Sequence, residues 1–259
     1  MPELRSMRIV IIGTGNTATV LGRKLKAAGH HIVQVFGRDA AAASALAYEL
    51  DSVSVNHWTI VDRGAELYLL AVSDLAVAEV RRQLDLPEGT LVHTAASVPL
   101  EALKGAAAHY GVFYPLQSLR KGSERLPEIP VLVDAGDAPT LHQLEVLASS
   151  ISGQVATADD ATRLRLHLAA VFCNNFVNHI YTLMEEWCDR QGLDFRLLLP
   201  LIRETAERVG EVAPKQSQTG PALRRDSATL ERHRRLLAGE PKLLALYDLF
   251  TESIQNNGV

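Results

Sequence analysis

The chain has 259 residues, a length that allows one large domain or two of moderate size. Hydrophobic residues make up 47% and charged residues 22%, with a net charge of −4, so the composition is globular and offers no positive field for nucleic acid. The longest apolar runs, 67–72 and 168–173, are far shorter than the roughly 18 residues of a membrane span. We therefore expect no nucleic-acid or membrane partner, and, without a secretory signal before the first strand, a cytoplasmic protein.

The two cysteines, Cys173 and Cys188, fall in one predicted helix. About 15 rises of 1.5 Å would separate them by roughly 22 Å, which is too far for a disulfide. Their spacing matches no metal-binding motif. We predict reduced thiols and no metal site.

The first part of the chain alternates short β-branched runs with helical patterns, which is typical of a parallel sheet covered by helices on both faces. After the first strand, Ala18, Leu21, Leu25 and Ala28 recur at helical spacing and Gly29 follows as a helix end. The predicted strands are 8–12, 32–36, 53–55, 67–72, 90–94, 111–114, 129–133 and 154–157. The further predicted helices are 40–50, 74–84, 99–109 and 138–150.

No strand pattern follows Asp159 and Asp160, either of which can cap a long helix. Helices are predicted at 160–190, 194–210, 227–238 and 241–255, with a kink or restart at Pro200 and a loop at 211–222. The fold prediction is an α/β, doubly wound domain over residues 1–158, followed by an all-helical domain over residues 159–259.

A glycine-rich turn, Gly13-Thr-Gly-Asn-Thr-Ala18, lies directly between the first strand and its helix. It has the G-x-G-x-x-A spacing of dinucleotide-binding turns, in the strand–turn–helix context that this function requires. The first glycine permits the tight turn, the second lets the backbone approach a pyrophosphate, and the alanine allows close helix packing. Free N–H groups and the positive end of the helix dipole would bind the phosphates. We predict a Rossmann dinucleotide site formed by Gly13, Thr14, Gly15, Asn16, Thr17 and Ala18.

The second strand ends at Gly37 and Arg38, where NAD enzymes usually place an acid for the ribose hydroxyls. A missing acid beside an arginine favours a 2′-phosphate, and therefore NADP over NAD. The alternative is that Arg38 is a solvated surface residue and Asp39 contacts the ribose.

Residues at the ends of later strands are expected at the same crevice, because ligands of open α/β sheets bind beyond the carboxyl ends of the strands. Val72 and Ser73, then His93 and Thr94, are predicted to contact the cofactor. Gln117 and Ser118, which follow the sixth strand, are predicted to contact a substrate.

The whole chain resembles a bacterial family in which a Rossmann-like domain precedes a helical domain of unknown function. The resemblance rests on residues 13–18, 93–97, 114–119, 167–179 and 218–226. The family lies in the group of pyrroline-5-carboxylate reductase, the β-hydroxyacid and 6-phosphogluconate dehydrogenases and deazaflavin-dependent NADP reductase. The resemblance implies an NADP-dependent oxidoreductase acting on a small imine, ketone or hydroxy acid, and a homodimer formed through the helical domain.

This chain departs from the family pattern at three places. It reads His-Thr-Ala-Ala-Ser at 93–97, where the family usually has His-Thr-Ser-Gly-Ser, and it has Tyr114 where the family often has histidine. β-Hydroxyacid dehydrogenases carry Lys-x-x-Asn-Asn on the long helix, with the lysine as acid/base and the asparagines binding substrate. Here that segment is Val171-Phe-Cys-Asn-Asn175, so the asparagines match and the lysine is missing.

The resemblance therefore implies substrate-binding roles for Asn174 and Asn175, the latter also within the catalytic set. Hydride transfer still needs a proton donor, for which His93 and His167 are the candidates. The missing lysine also supports a different function, an NADP(H)-binding sensor or scaffold without turnover. A β-hydroxyacid dehydrogenase of the usual type is disfavoured by Val171.

Structural interpretations remain open for several of these residues. The asparagines could bond neighbouring helices as buried amides, and His167 could be a structural histidine. Gln218, Thr219 and Arg224 could close over a substrate, with the arginine holding an anionic group, or could form a simple helix connection.

Overall fold

The structure is a computed structural model that describes residues 5–123 and 125–256. The chain divides into two compact units, Met1–Asn175 and Phe176–Val259. This division assigns the first helix after the sheet to the first unit, whereas the sequence placed a boundary at residue 158, where the last strand ends.

The first unit is built on an eight-stranded sheet with the order β3-β2-β1-β4-β5-β6-β7-β8. All neighbouring strands are parallel except β6 and β7, which pair antiparallel. The strand order reverses between β1 and β4, the position at which such sheets open a ligand crevice. The strands are β1 (Arg8–Ile12), β2 (His31–Phe36), β3 (Val53–Val55), β4 (Leu67–Leu70), β5 (Leu86–His93), β6 (Ala107–Pro115), β7 (Val131–Ala135) and β8 (Val155–Thr157).

Both faces of the sheet are buried at its central strands. Alternate residues of β1 enter different core clusters, Ile9 and Ile11 on one face and Val10 and Ile12 on the other. This explains the uninterrupted apolar run of the strand. The predicted doubly wound α/β fold is confirmed. The helices of this unit are α1 (Asn16–Ala27), α2 (Ala40–Glu49), α3 (Asp74–Arg81), α4 (Ala138–Ile151) and α5 (Asp160–Ala170).

The chain after β8 is helical in all elements that the structure describes, as predicted. A π-helical segment, Val171–Phe176, follows α5, and a 3₁₀ turn at Phe195–Leu198 precedes α7. Pro200 lies in the first turn of α7, so the predicted restart is confirmed. The second unit contains α6 (Val177–Arg190), α7 (Leu199–Arg208), α8 (Pro214–Ser217), α9 (Ser227–Leu236) and α10 (Pro241–Asn256). Within residues 5–123 and 125–256, no helix has both the length and the apolarity needed to cross a bilayer.

Three predicted elements differ from the structure in kind or continuity. The predicted helix at 99–109 is only a 3₁₀ turn, Leu100–Leu103, because Gly105 adopts a left-handed conformation and β6 begins at Ala107 to pair with β5. The predicted continuous helix 160–190 is interrupted by the π segment. The predicted loop 211–222 contains the short helix α8.

Candidate cofactor site

The glycine turn after β1 has the geometry that its sequence predicts. Gly13 has φ +127°, and a Cβ added there would lie 2.2 Å from the carbonyl oxygen of Ala71. The Gly13 N–H donates to the Phe36 carbonyl at 2.9 Å, which joins the turn to the end of β2. At Gly15, by contrast, an added Cβ would meet nothing within 4 Å. The first glycine is therefore required by packing, and the second faces open space.

The N-terminus of α1 has no side-chain cap. Gly15 is the N-cap residue and provides no side-chain acceptor. In α2, Asp39 fills that role by accepting from the N–H groups of Ala41 and Ala42. Uncapped N–H groups at a helix N-terminus, together with the positive end of the helix dipole, form a binding position for an anion.

A cleft of about 700 Å³ opens beyond the carboxyl ends of β1, β2 and β4. Nine of the predicted cofactor-binding residues line it: Gly13, Thr14, Gly15, Asn16, Thr17, Gly37, Arg38, Val72 and Ser73. Asp39, the alternative ribose contact of the sequence analysis, also lines the cleft, as does Ala71 at the end of β4. The sequence analysis did not identify the remaining lining residues: Ile12, Phe36, Trp58, Ala76, Glu79, Val80 and Gln83. Ala18 is fully buried beneath the turn, in keeping with its predicted packing role.

Two aromatic rings stand at the side of the cleft formed by β2 and β3. Phe36 and Trp58 stack with centroids 3.7 Å apart and an interplanar angle of 21°. Both residues line the cleft, which gives this end of it a flat apolar surface suited to a planar ring.

The space around Gly37, at the end of β2, is too small for an acidic side chain. A Cβ on Gly37 would lie 2.6 Å from Cγ2 of Thr14 and 3.0 Å from Cβ of Ala43. The next residue, Arg38, is exposed, and its guanidinium has no hydrogen-bond or ion-pair partner among residues 5–123 and 125–256. Since Asp39 already caps α2, Arg38 is the residue at this strand end whose charged group is available to an anionic ligand.

His93 and Thr94 do not line the cleft, contrary to the prediction. The His93 side chain is completely buried, and its Nδ1 accepts from the Ala95 N–H at 3.2 Å. Burial, and then the charge of Arg163, lower the pKa of His93 to about 4, so the imidazole is neutral at pH 7. Thr94 donates its hydroxyl to the Leu70 carbonyl at 3.2 Å and joins the ends of β4 and β5. Because the packing of the strand ends turns these side chains inward, the structure does not support their predicted cofactor contacts.

A buried arginine joins α5 to the loop that follows β5. Arg163 is 1% exposed, donates from Nε to the Ala96 carbonyl at 3.2 Å and from Nη2 to the Val98 carbonyl at 2.6 Å, and pairs with Asp160 at 2.7 Å. Sequence patterning did not identify it, because arginine on an amphipathic helix usually indicates a solvated face. It fixes the loop by satisfying two of its carbonyl groups.

The second predicted proton donor, His167, lies on α5 beside Tyr114. The Tyr114 hydroxyl is 2.9 Å from His167 Nδ1. Burial, and then the charge of Asp74, raise the pKa of Tyr114, so its hydroxyl is protonated at neutral pH. His167 is only partly buried.

The predicted substrate residues of the first unit are exposed. Asn174 and Asn175 lie in the π segment, so the interpretation of this stretch as a buried helix is wrong for the single chain. Gln117 uses its side chain locally, donating to the Glu128 carbonyl and accepting from the Ser118 N–H. None of these four residues lines the cleft.

The remaining predicted substrate residues lie in the second unit. Gln218, Thr219 and Arg224 are exposed, and Gln218 donates to the Thr219 carbonyl at 2.9 Å. Their contact with a substrate stays a prediction.

Comparison with known proteins gives two matching domain families. Residues 8–97 match the family described as NADP oxidoreductase, coenzyme F420-dependent, and residues 129–254 match a domain of unknown function, DUF2520. No protein with a curated description matches the chain significantly.

Solved structures resemble this chain over nearly its full length. A crystal structure of a candidate NADP oxidoreductase from Bacteroides fragilis is 39% identical, with a TM-score of 0.89, covering 98% of this chain and 100% of that one. A reductive aminase from Aspergillus terreus, in complex with NADPH and ethyl-5-oxohexanoate, is 16% identical with a TM-score of 0.73, covering 98% and 95%. A 1-pyrroline-5-carboxylate reductase from Streptococcus pyogenes is 14% identical with a TM-score of 0.65, covering 97% and 99%. The last two show a shared fold.

Proposed function

We propose that this chain, which belongs to the family of the Bacteroides fragilis protein and carries an NADP oxidoreductase domain before a DUF2520 domain, is an NADP-dependent oxidoreductase. It would transfer hydride between NADP(H) and a small imine, ketone or hydroxy acid. Its reductive-aminase and pyrroline-5-carboxylate reductase neighbours share the fold and suggest the C=N and C=O classes of substrate.

The observation that supports this proposal most directly is the N-terminus of α1, which has no side-chain cap. It lies at the edge of the cleft, and a side chain on Gly15 would project into the open space there. The pyrophosphate would bind to the N–H groups of this turn. The adenosine end would lie toward the stacked rings of Phe36 and Trp58, with the 2′-phosphate at Arg38. Bound NADPH would supply hydride, and Val72 and Ser73 would border the nicotinamide end.

Replacing Arg38 with glutamate should change the cofactor preference. Arginine holds a phosphate by charge-assisted hydrogen bonds worth about 1.5–3 kcal/mol, and glutamate would add repulsion. We expect NADPH to bind on the order of 100-fold more weakly while NADH binding changes little, as measured by calorimetry on the purified protein.

The matched control is Arg5→Glu. Arg5 is an exposed arginine before the amino end of β1, paired with Glu66 and outside the cleft. It should leave both affinities unchanged. Equal weakening of NADPH and NADH by Arg38→Glu would refute the assignment of the 2′-phosphate, and no association of the wild type with either nucleotide would refute the proposed function.

The competing function is an NADP(H)-binding sensor or scaffold, which Val171 at the position of the family lysine favours. The two functions differ in turnover. An enzyme should consume NADPH with a member of a panel of cyclohexanone, pyruvate and 1-pyrroline. Tight binding without consumption across a wider panel of ketones, oxo acids and imines would favour the sensor.

We further propose that the protein is a homodimer formed through its helical part. Large apolar side chains are exposed there in the single chain, including Leu168 at 57%, Leu201 at 64% and Leu236 at 66%. Exposed apolar groups in this number, on α5 of the first unit and on α7 and α9 of the second, are typical of surfaces that another chain covers.

Light scattering should therefore give about twice the chain mass of 28.3 kDa. The double variant Leu168→Glu, Leu201→Glu should shift the protein toward the monomer, because each change would bury a charge in the interface. Leu75→Glu is the control, since Leu75 is equally apolar and 96% exposed but lies on α3 of the sheet unit. A wild-type monomer at micromolar concentration would contradict the proposal.

A further inference from the structure

The hydrogen-bonded pair of Tyr114 and His167 is a polar feature that the cleft does not explain. Tyr114 is the penultimate residue of β6, and its hydroxyl is 2.9 Å from Nδ1 of His167 on α5. The rings meet edge to face, with centroids 6.1 Å apart. A phenol held on an imidazole nitrogen is a proton-transfer arrangement, because either group can donate along the shared hydrogen bond.

The position of the pair in the sheet connects it with the cleft. β4, β5 and β6 are parallel neighbours, so Tyr114 lies at the same carboxyl edge as the cleft residues that follow β4. The Tyr114 ring packs in one cluster with Ala96 of the loop after β5. That loop is joined to Asp74, the residue after Ser73 of the cleft, through hydrogen bonds from Ser97. The charge of Asp74 also acts on the Tyr114 hydroxyl.

Reduction of a C=O or C=N bond by hydride delivers two electrons and one hydrogen to the carbon and leaves a negative charge on the heteroatom. One proton must reach that heteroatom for the reaction to balance. At this edge of the sheet, His93 is completely buried and does not line the cleft, and Val171 carries no proton to donate. Tyr114 and His167 carry exchangeable protons close to the loop that borders Ser73.

We propose that Tyr114 is the proton donor of the reaction and that His167 is its positioning and relay residue. This inference rests on the proposed oxidoreductase function. The Tyr114 O–H bond breaks as a new O–H or N–H bond forms on the reduced carbonyl or imine. His167 is partly exposed, so its Nε2 can take a proton from solvent as the proton on Nδ1 passes to the phenolate oxygen. The phenol is then restored and the imidazole stays neutral, in its other tautomer.

The first test is removal of the hydroxyl by Tyr114→Phe. With cyclohexanone, pyruvate and 1-pyrroline as probes, kcat for NADPH consumption should fall on the order of 100-fold or more, while the Kd for NADPH stays at its wild-type value. Tyr110→Phe is the matched control, because Tyr110 lies on the same strand and bonds Glu101 instead. A Tyr114→Phe enzyme that keeps the wild-type kcat would overturn the assignment.

A second measurement does not depend on finding a substrate. In a crystal of the protein soaked with NADP⁺, the Tyr114 hydroxyl should lie about 7 Å or less from nicotinamide C4. This is the distance that one carbonyl group spans when its carbon contacts C4 and its oxygen accepts the proton from Tyr114. A separation beyond about 10 Å would overturn the proposal even if no probe is turned over. Failure of NADP⁺ to bind at all would instead refute the proposed function and this proposal with it.

The role of His167 has its own test. His167→Ala should lower kcat with little change in KM, and added imidazole should restore part of the lost activity, because a small base can occupy the vacated position and resupply the proton. Loss of activity without rescue, with normal thermal stability, would assign His167 a structural role and overturn the relay.

Discussion

A Gly13→Ala variant should lose nucleotide binding and a large part of its stability together. The added Cβ would lie 2.2 Å from the carbonyl oxygen of Ala71, a backbone atom at the end of β4 that cannot move without disturbing the strand pairing. The φ of +127° is also a conformation that alanine adopts only under strain. Strain and overpacking together should lower the free energy of unfolding by about 3 kcal/mol. Urea unfolding measures this loss, and calorimetry should find NADPH binding weakened by on the order of 100-fold or more.

Gly15→Ala is the matched variant two residues further along the same turn. An added Cβ there meets nothing within 4 Å, so the protein should unfold at nearly the wild-type urea concentration. Its methyl group would nevertheless enter the space through which a pyrophosphate approaches the uncapped N-terminus of α1, and NADPH should bind more weakly. If Gly15→Ala binds NADPH as the wild type does, the phosphates do not bind at this turn.

The sheet was predictable because its signals are local. Each buried parallel strand is a short apolar run, and the turn at Gly13 must follow the first of them if it is to bind a nucleotide. The prediction of a helix at 99–109 was wrong because strand pairing overrides the helical pattern of its alanines and leucines. There, β6 pairs with β5, first at Ala107 with Leu86 and then, after an irregularity, continuously from His109 to Val112. The π segment had no sequence signal that would distinguish it from the α-helix on either side.

The candidate site was only half predictable. The glycine turn and Arg38 were found because chemistry fixes their distance along the chain from a strand end. The lining residues from α3, such as Glu79 and Gln83, face the cleft through helix packing that no motif records. The pairing of Tyr114 with His167 joins residues 53 positions apart, and only the docking of α5 against β6 brings them together. His93 follows a strand end of the crevice, as the sequence predicts, but its side chain is buried and does not line the cleft, because packing and not position along the chain decides where it points.

The burial of His93 should make the stability of the protein fall as the pH falls from neutral. Its pKa is about 4 in the folded protein against an ordinary value of 6.5, so between these values the unfolded state binds the extra proton. Stability is fully present above the unfolded pKa and is lost as the pH falls toward the folded pKa. From about pH 7 to pH 5 this single group should lower the free energy of unfolding by about 2 kcal/mol. His30, whose pKa is also lowered by burial, adds a loss in the same direction.

Urea unfolding at fixed protein concentration, across this pH range, separates the contribution of His93 from the others. His93→Gln should be less stable than the wild type at neutral pH, because it changes a packed residue. Between pH 7 and pH 5, however, its free energy of unfolding should fall by about 2 kcal/mol less than that of the wild type. His142→Gln is the control, since that side chain is 79% exposed and its replacement should leave the slope unchanged. Parallel pH profiles for His93→Gln and the wild type would mean that His93 takes up its proton as readily in the folded protein as in the unfolded one. Its side chain would then be hydrated rather than buried.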